Sequence, residues 1–128
     1  MKRAYFAHSK LSYGSQTEKE ARKYLEGKFK VICPNRDLGE LGSIQPYLEK
    51  IDTCSVVVAM EHKKHIGKGV YDELHHAIAE RKETYVLRKF NDSFVLRVIK
   101  VLNIVDPDDW KLNYGTLETV EEASCGRK

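Results

Sequence analysis

The chain is 128 residues long, 41% hydrophobic and 32% charged, which fits one folded domain and excludes a disordered or fibrous chain. Its 22 lysines and arginines are interspersed with 19 aspartates and glutamates, leaving a formal charge of +3. A nucleic-acid binder gathers positive charge on one face or stripe, so that class of partner is not expected.

Residues 4–7 form a short apolar run and predict a first strand. Residues 8–16 are polar, with serines at 9, 12 and 15, and predict a loop. Thr17 and Glu20 have the spacing of a capping box. A helix is therefore expected from Thr17, with Ala21, Tyr24 and Leu25 inward and Gly27 at its end. Residues 29–33 predict a second strand, stopped by Pro34, and residues 34–42 a loop carrying Asn35, Arg36, Asp37 and Glu40. Ser43 is placed to cap a second helix, with Pro46 in its first turn and Ile44, Tyr47, Leu48 and Ile51 on one stripe.

The run SVVVAM over residues 55–60 is continuously apolar and β-branched, as in a parallel strand buried on both faces. A basic loop over 61–68 leads to a helix expected over 69–81, with Val70, Leu74, Ala77 and Ile78 inward, and then to a fourth strand at 84–87. Residues 94–105 suit a fifth strand or a strand pair. The acidic stretch at 106–109 reads as a helix start, after which Trp110, Leu112 and Tyr114 would pack back on the sheet. Residues 124–128 read as a frayed tail, and no repeat or second domain is visible. Strands alternating with helices predict an α/β fold. The expected form is a single domain over 1–128 with a flavodoxin-like (Rossmann-like) parallel sheet and helices on both faces.

The three cysteines, Cys33, Cys54 and Cys125, have no metal-like spacing, and Cys33 and Cys54 lie in or beside apolar runs. They read as thiols in a reducing compartment rather than a disulfide framework. The first residues, MKRAYFAHS, are too poor in apolar side chains for a signal peptide, and no stretch approaches the roughly 18 apolar residues of a membrane span. The expectation is a cytoplasmic protein with no membrane partner.

Ligands of open parallel sheets bind beyond the carboxyl ends of the strands. Three polar loops, over 8–16, 34–42 and 61–68, are expected there. The first feeds a helix N-terminus, which favours an anion. Around it, His8, Ser9, Lys10, Ser12 and Ser15 are phosphate-binding candidates, although the serines equally suit turn and helix caps. Neither GxxxxGK[ST] nor GxGxxG occurs. Asp37, just past the second strand, is either an acceptor for a ribose hydroxyl or a turn carboxylate. The third loop runs into GKGVYDELHHAI, where Gly67 and Gly69 allow close backbone approach and Lys68 offers a cation. Glu73 is expected in the first turn of that helix, where the dipole favours an acid in any case. His75 and His76 are adjacent and point apart, and His62 and His65 lack a defined zinc spacing, so neither a metal nor a cofactor is expected.

The succession YFAHS, SVVVAM and GVYDELHHA resembles the nucleoside 2-deoxyribosyltransferase family and its relatives, the deoxynucleoside 5′-monophosphate N-glycosidases. The resemblance covers residues 3 to 88. It implies a flavodoxin-like sheet, a nucleoside or nucleotide as the small-molecule partner, and assembly as a homodimer. It further implies that Tyr5 lines the sugar pocket and that Glu73 is the nucleophile, forming a glycosyl-enzyme resolved by water or a second base. The family's early helical Asp falls on Tyr47 and its strand-opening Asp on Ser55. Asp52, Asp37 and Glu40 are then the candidates for the missing acid/base, and His65, Gly67 and Lys68 stand where the family has Ser/Thr-like contacts. The alternative is a nucleotide- or ADP-ribose-type binding module that performs no turnover.

Overall fold

The computed structural model describes residues 1–37 and 43–120. Strand β1 (Arg3–His8) leads through one 3₁₀ turn (Lys10–Ser12) into helix α1 (Gln16–Glu26) and strand β2 (Lys30–Ile32). A helical turn, α2 (Pro34–Asp37), precedes α3 (Gln45–Asp52), β3 (Val56–Met60) and α4 (Lys68–Ala79). Strands β4 (Glu83–Phe90), β5 (Ser93–Ile104) and β6 (Gly115–Thr119) complete the order.

All six strands form one sheet, ordered β2-β1-β3-β4-β5-β6. The first four run parallel, whereas β5 is antiparallel to β4 and β6 to β5. The α/β class is as expected, but the sheet is mixed rather than wholly parallel. The cause is local: Asn91 and Asp92 both adopt positive φ, 48° and 66°. A two-residue left-handed turn matches strand twist and sends the chain straight back as a hairpin, leaving no room for a crossover helix.

Period-two alternation divides the core. On one face Tyr5, Ala7, Val57, Ala59 and Val86 meet Ile51 of α3 and Val70, Leu74 and Ala77 of α4. On the other, Ala4, Phe6, Val56, Val58 and Leu87 meet Ala21 and Leu25 of α1. Each fully buried Val, Leu, Ile or Phe contributes roughly 1.5–3 kcal/mol, so β1 and β3, buried almost end to end, carry much of the stability. In β5, Phe94 and Leu96 lie on the α1 face and Ile99 and Leu102 on the opposite one. A register shift between Ile99 and Val101 returns Leu102 to the side of Ile99 despite their odd spacing.

Several local expectations are corrected. The cap of α1 is Ser15, whose hydroxyl accepts from Glu18 N at 3.1 Å, two residues ahead of Thr17. Glu18 turns inward to take the Gly14 amide at 3.0 Å, and that contact fixes the helix start. At α3 the cap position falls on Ile44 with no side-chain bond, rather than on Ser43. In α4 the inward stripe is Val70, Glu73, Leu74 and Ala77. This sets Ile78 roughly a quarter turn aside, 41% exposed instead of buried. No helix forms at 106–109: Asp106 Oδ1 accepts from Asp108 N at 3.1 Å and closes a turn. Of the three side chains expected to pack back there, Tyr114 is buried while Trp110 and Leu112 are exposed. Cys33 and Cys54 are buried free thiols, whereas Cys125, Glu40 and the 124–128 tail lie outside the described residues. Among the described residues no helix is long and apolar enough to cross a membrane.

Candidate functional site

A cavity of about 600 Å³ opens beyond the carboxyl ends of β1 and β2, against the N-terminal half of α4. Its wall draws on four stretches that are remote in sequence: Ser9, Lys10, Leu11 and Tyr13; Pro34, Ser43, Ile44 and Tyr47; Gly67, Gly69, Val70 and Glu73; and Trp110 with Lys111. Tyr5 closes it from the sheet.

Glu73 is 7% exposed, and the Tyr5 hydroxyl donates to its Oε2. Because α4 begins at Lys68, Glu73 falls in the second turn, one turn later than expected, where the dipole has largely faded. Burial is then the dominant influence and pushes the carboxyl up to about 8; the Tyr5 bond opposes the rise and Asp72 adds to it. At neutral pH the carboxyl is therefore mostly protonated. Burial, with Glu73 second, also holds the Tyr5 and Tyr13 phenols far above the ordinary phenolic range. At neutral pH the floor of the cavity is consequently uncharged, its protons held on Glu73, Tyr5 and Tyr13.

Behind this floor lies a buried polar network. His8 Nδ1 donates to the Phe6 carbonyl at 3.0 Å, and His8 Nε2 is hydrogen-bonded to Glu18 Oε2 at 2.5 Å. The imidazole stacks on Phe6 at 4.1 Å and meets the Tyr13 ring at 5.1 Å. Burial opposes ionisation of Glu18, but the Gly14 amide, His8 and Asn35 together hold its carboxyl below the usual range. Cys33 Sγ donates to Asn35 Oδ1 at 2.9 Å, so His8, Glu18 and Cys33 place three potential metal donors side by side. Two ligands on one tetrahedral zinc stand about 3.3 Å apart. In this structure the side chains of His8, Glu18, Asn35 and Cys33 form a hydrogen-bonded brace.

The other candidates divide between the wall and elsewhere. Tyr5, His8, Ser9, Lys10, Gly67, Gly69 and Glu73 line the cavity. Asp52 does not; it is exposed at the far end of α3, 2.7 Å from His76 Nε2. Asp37 closes α2 by accepting from Cys33 N at 2.7 Å. Lys68 turns to Asp72 at 2.7 Å, outside the wall. Sequence reasoning missed Tyr13, Ser43, Ile44 and Lys111 as wall residues, and assigned Trp110 to the sheet. Gly67 has a tighter role than ligand approach alone. A Cβ there would meet the carbonyl oxygen of Lys111 at 2.7 Å and that of Trp110 at 3.1 Å, so only glycine lets the β5–β6 loop sit against α4. Gly69 has nothing within 4 Å of its Cβ position and faces open space.

A further cavity of about 590 Å³ lies on the α1 face near Met60, Leu87 and Phe94. Its half-buried charges pair with each other, as Arg88 donates to both Glu61 oxygens at 2.9 and 3.2 Å. In comparisons with protein-family models, curated proteins and solved structures, nothing matches the chain.

Proposed function

We propose that the chain cleaves the N-glycosidic bond of a deoxynucleoside or its 5′-monophosphate, or transfers the deoxyribosyl group, with Glu73 as nucleophile. The observation that carries this reading is the Glu73 carboxyl at the cavity floor with the Tyr5 hydroxyl on Oε2. In its ionised form one Glu73 oxygen attacks the anomeric carbon. The C1′–N bond breaks, its electron pair leaves with the base, and the base takes up a proton from solvent water. Water then hydrolyses the glycosyl ester, or a second base accepts the sugar. Tyr5 orients the carboxylate and holds its second oxygen.

The parallel order β2-β1-β3-β4 supports a flavodoxin-like arrangement in which the antiparallel β5–β6 hairpin replaces a fifth parallel strand. The same reading takes a small nucleoside or nucleotide as ligand in the cytoplasm. It pairs two copies as a homodimer, for which the exposed Phe90, Val98, Ile104 and Val105 supply apolar surface.

A second reading, ligand binding with no turnover, rests on one observation: among the described residues Glu73 is the one carboxyl group in the cavity wall. Asp37 and Asp52, proposed as the acid/base, are occupied elsewhere. The deciding experiment is chromatography of free base from a panel of deoxynucleosides and their 5′-monophosphates, using wild type and Glu73→Ala. Release that disappears in the variant establishes the glycosidic enzyme. Equal release from both proteins rules out Glu73 as nucleophile, and no release together with ligand-raised melting temperatures establishes the binding module.

A further inference from the structure

We infer that the β5–β6 loop is the selective arm of the cavity, with Lys111 and Lys10 gripping the phosphate of a nucleoside 5′-monophosphate and Trp110 covering its heteroaromatic base. This rests on the proposed reading for the substrate class, but not on turnover.

The loop is fixed to the cavity by its backbone. Lys68 N donates to the Trp110 carbonyl at 2.7 Å, and Ile66 and Gly115 exchange hydrogen bonds at 2.9 and 3.0 Å. Gly67 permits this approach, and Gly115 lets β6 close on β5, since a Cβ at 115 would meet the Asn103 carbonyl at 2.5 Å. Trp110 and Lys111 are therefore placed at the mouth by the packing of a hairpin onto a helix.

The charges of the wall are one-sided. Lys10 and Lys111 line it, and neither has an ion-pair partner among the described residues. Lys68, by contrast, is neutralised by Asp72. Among the described residues of the wall, Glu73 is the one carboxyl group, and it offers no negative charge to the two ammonium groups while it keeps its proton. Lys111 Nζ rests over the Trp110 ring, 5.3 Å from its centroid, which pre-positions a cation beside an aromatic face that is 57% exposed. Leu11, Ile44 and Val70 add to the wall the apolar surface that a sugar and base edge require, with Val70 buried and the other two exposed.

Trp110 is the single tryptophan of the chain, so its emission reports occupancy directly. The Glu73→Gln protein, which cannot turn over substrate by the proposed route, is titrated with deoxyadenosine 5′-monophosphate, deoxyadenosine and inorganic phosphate. The nucleotide is expected to quench Trp110 and to bind at least about tenfold tighter than the nucleoside, as one charge-assisted contact warrants. Lys111→Gln and Lys10→Gln, both at exposed positions, each lower nucleotide affinity about tenfold and leave nucleoside affinity within about twofold. Equal affinity for nucleotide and nucleoside, or equal losses for both in the lysine variants, overturns the phosphate assignment. A ligand-raised melting temperature with unchanged Trp110 emission overturns the assignment of the arm. Base release by wild type without quenching sinks this inference and leaves the glycosidic reading intact. Quenching without release does the reverse.

Discussion

The Tyr5 hydroxyl donates to Glu73 Oε2 across 68 residues of sequence, tying the middle of β1 to the second turn of α4. The bond joins two buried groups that would each resist ionisation, and it works against burial in setting the charge of Glu73. If ionised Glu73 is the nucleophile, base release by wild type rises with pH through a midpoint near 8 and levels off above it. Tyr5→Phe removes the bond that favours the carboxylate, so the rising limb moves to higher pH and the rate at neutral pH falls. A pH–rate series on both proteins checks this, and an unshifted limb would show that Tyr5 does not act through Glu73.

The same carboxyl governs stability with a definite sign. Its folded-state value of about 8 lies above the ordinary 4.5, so the folded protein retains a proton that the unfolded chain has released. The resulting stability is complete below about pH 4.5 and is lost as pH rises through about 8, at up to roughly 1.4 kcal/mol per unit. Thermal melts of wild type should therefore decline over this window more steeply than those of Glu73→Gln. Parallel curves would mean that Glu73 is not held protonated.

Periodicity made the first four strands and three main helices legible, because each apolar run alternates or recurs in a way that only one element can bury. The run at 55–60 is the plainest case, with Val56–Met60 buried throughout. The antiparallel end of the sheet was hidden because its cause is a backbone conformation at Asn91 and Asp92, and an Asn-Asp pair admits many turns. In the site, Glu73 and Tyr5 stood out through the motifs around them. Trp110 and Lys111 reach the cavity only through hairpin packing, and nothing in their local sequence records it. Asp52 was misplaced for the opposite reason: nearness in sequence to Tyr47 does not carry it round to the same helix face.

The brace behind the cavity should respond to pH in the opposite sense to Glu73. Interactions that hold Glu18 below the usual range contribute stability above about pH 4.5 and are lost as pH falls through its folded-state value. Glu18→Ala leaves His8 buried without its partner and should cost about 3–5 kcal/mol by urea denaturation at neutral pH. Glu83→Gln, at the exposed Lys2 pair, is the control and should change little. Comparable small losses in both would mean that the His8–Glu18 contact is open to water.

The β4–β5 turn offers a stabilising change. Asp92 holds φ 66° at an exposed position, a conformation that glycine adopts without steric cost. Asp92→Gly relieves that strain against a partly offsetting gain in unfolded-chain entropy, for a net of about 0.5–1 kcal/mol. Melting temperature should rise by a few degrees, whereas Asp92→Val should lower it. A fall with glycine would show that the Asp92 side chain holds the turn.

Gly67 and Gly69 separate the arm from the cavity it covers. At Gly67 a methyl group would sit 2.7 Å from the Lys111 carbonyl, where backbone and not a flexible side chain must yield. Gly67→Ala should therefore push the β5–β6 loop away, cost about 1–3 kcal/mol in stability and alter the resting emission of Trp110. At Gly69 the same methyl group meets nothing within 4 Å, and alanine favours the helix by up to about 1 kcal/mol. Gly69→Ala should keep or raise the melting temperature and leave resting Trp110 emission unchanged. It should still weaken nucleotide binding, because the added methyl group narrows the cavity wall. Unchanged nucleotide affinity in Gly69→Ala would place the ligand away from the N-terminus of α4. Unchanged emission in Gly67→Ala would mean that α4, and not the loop, gives way.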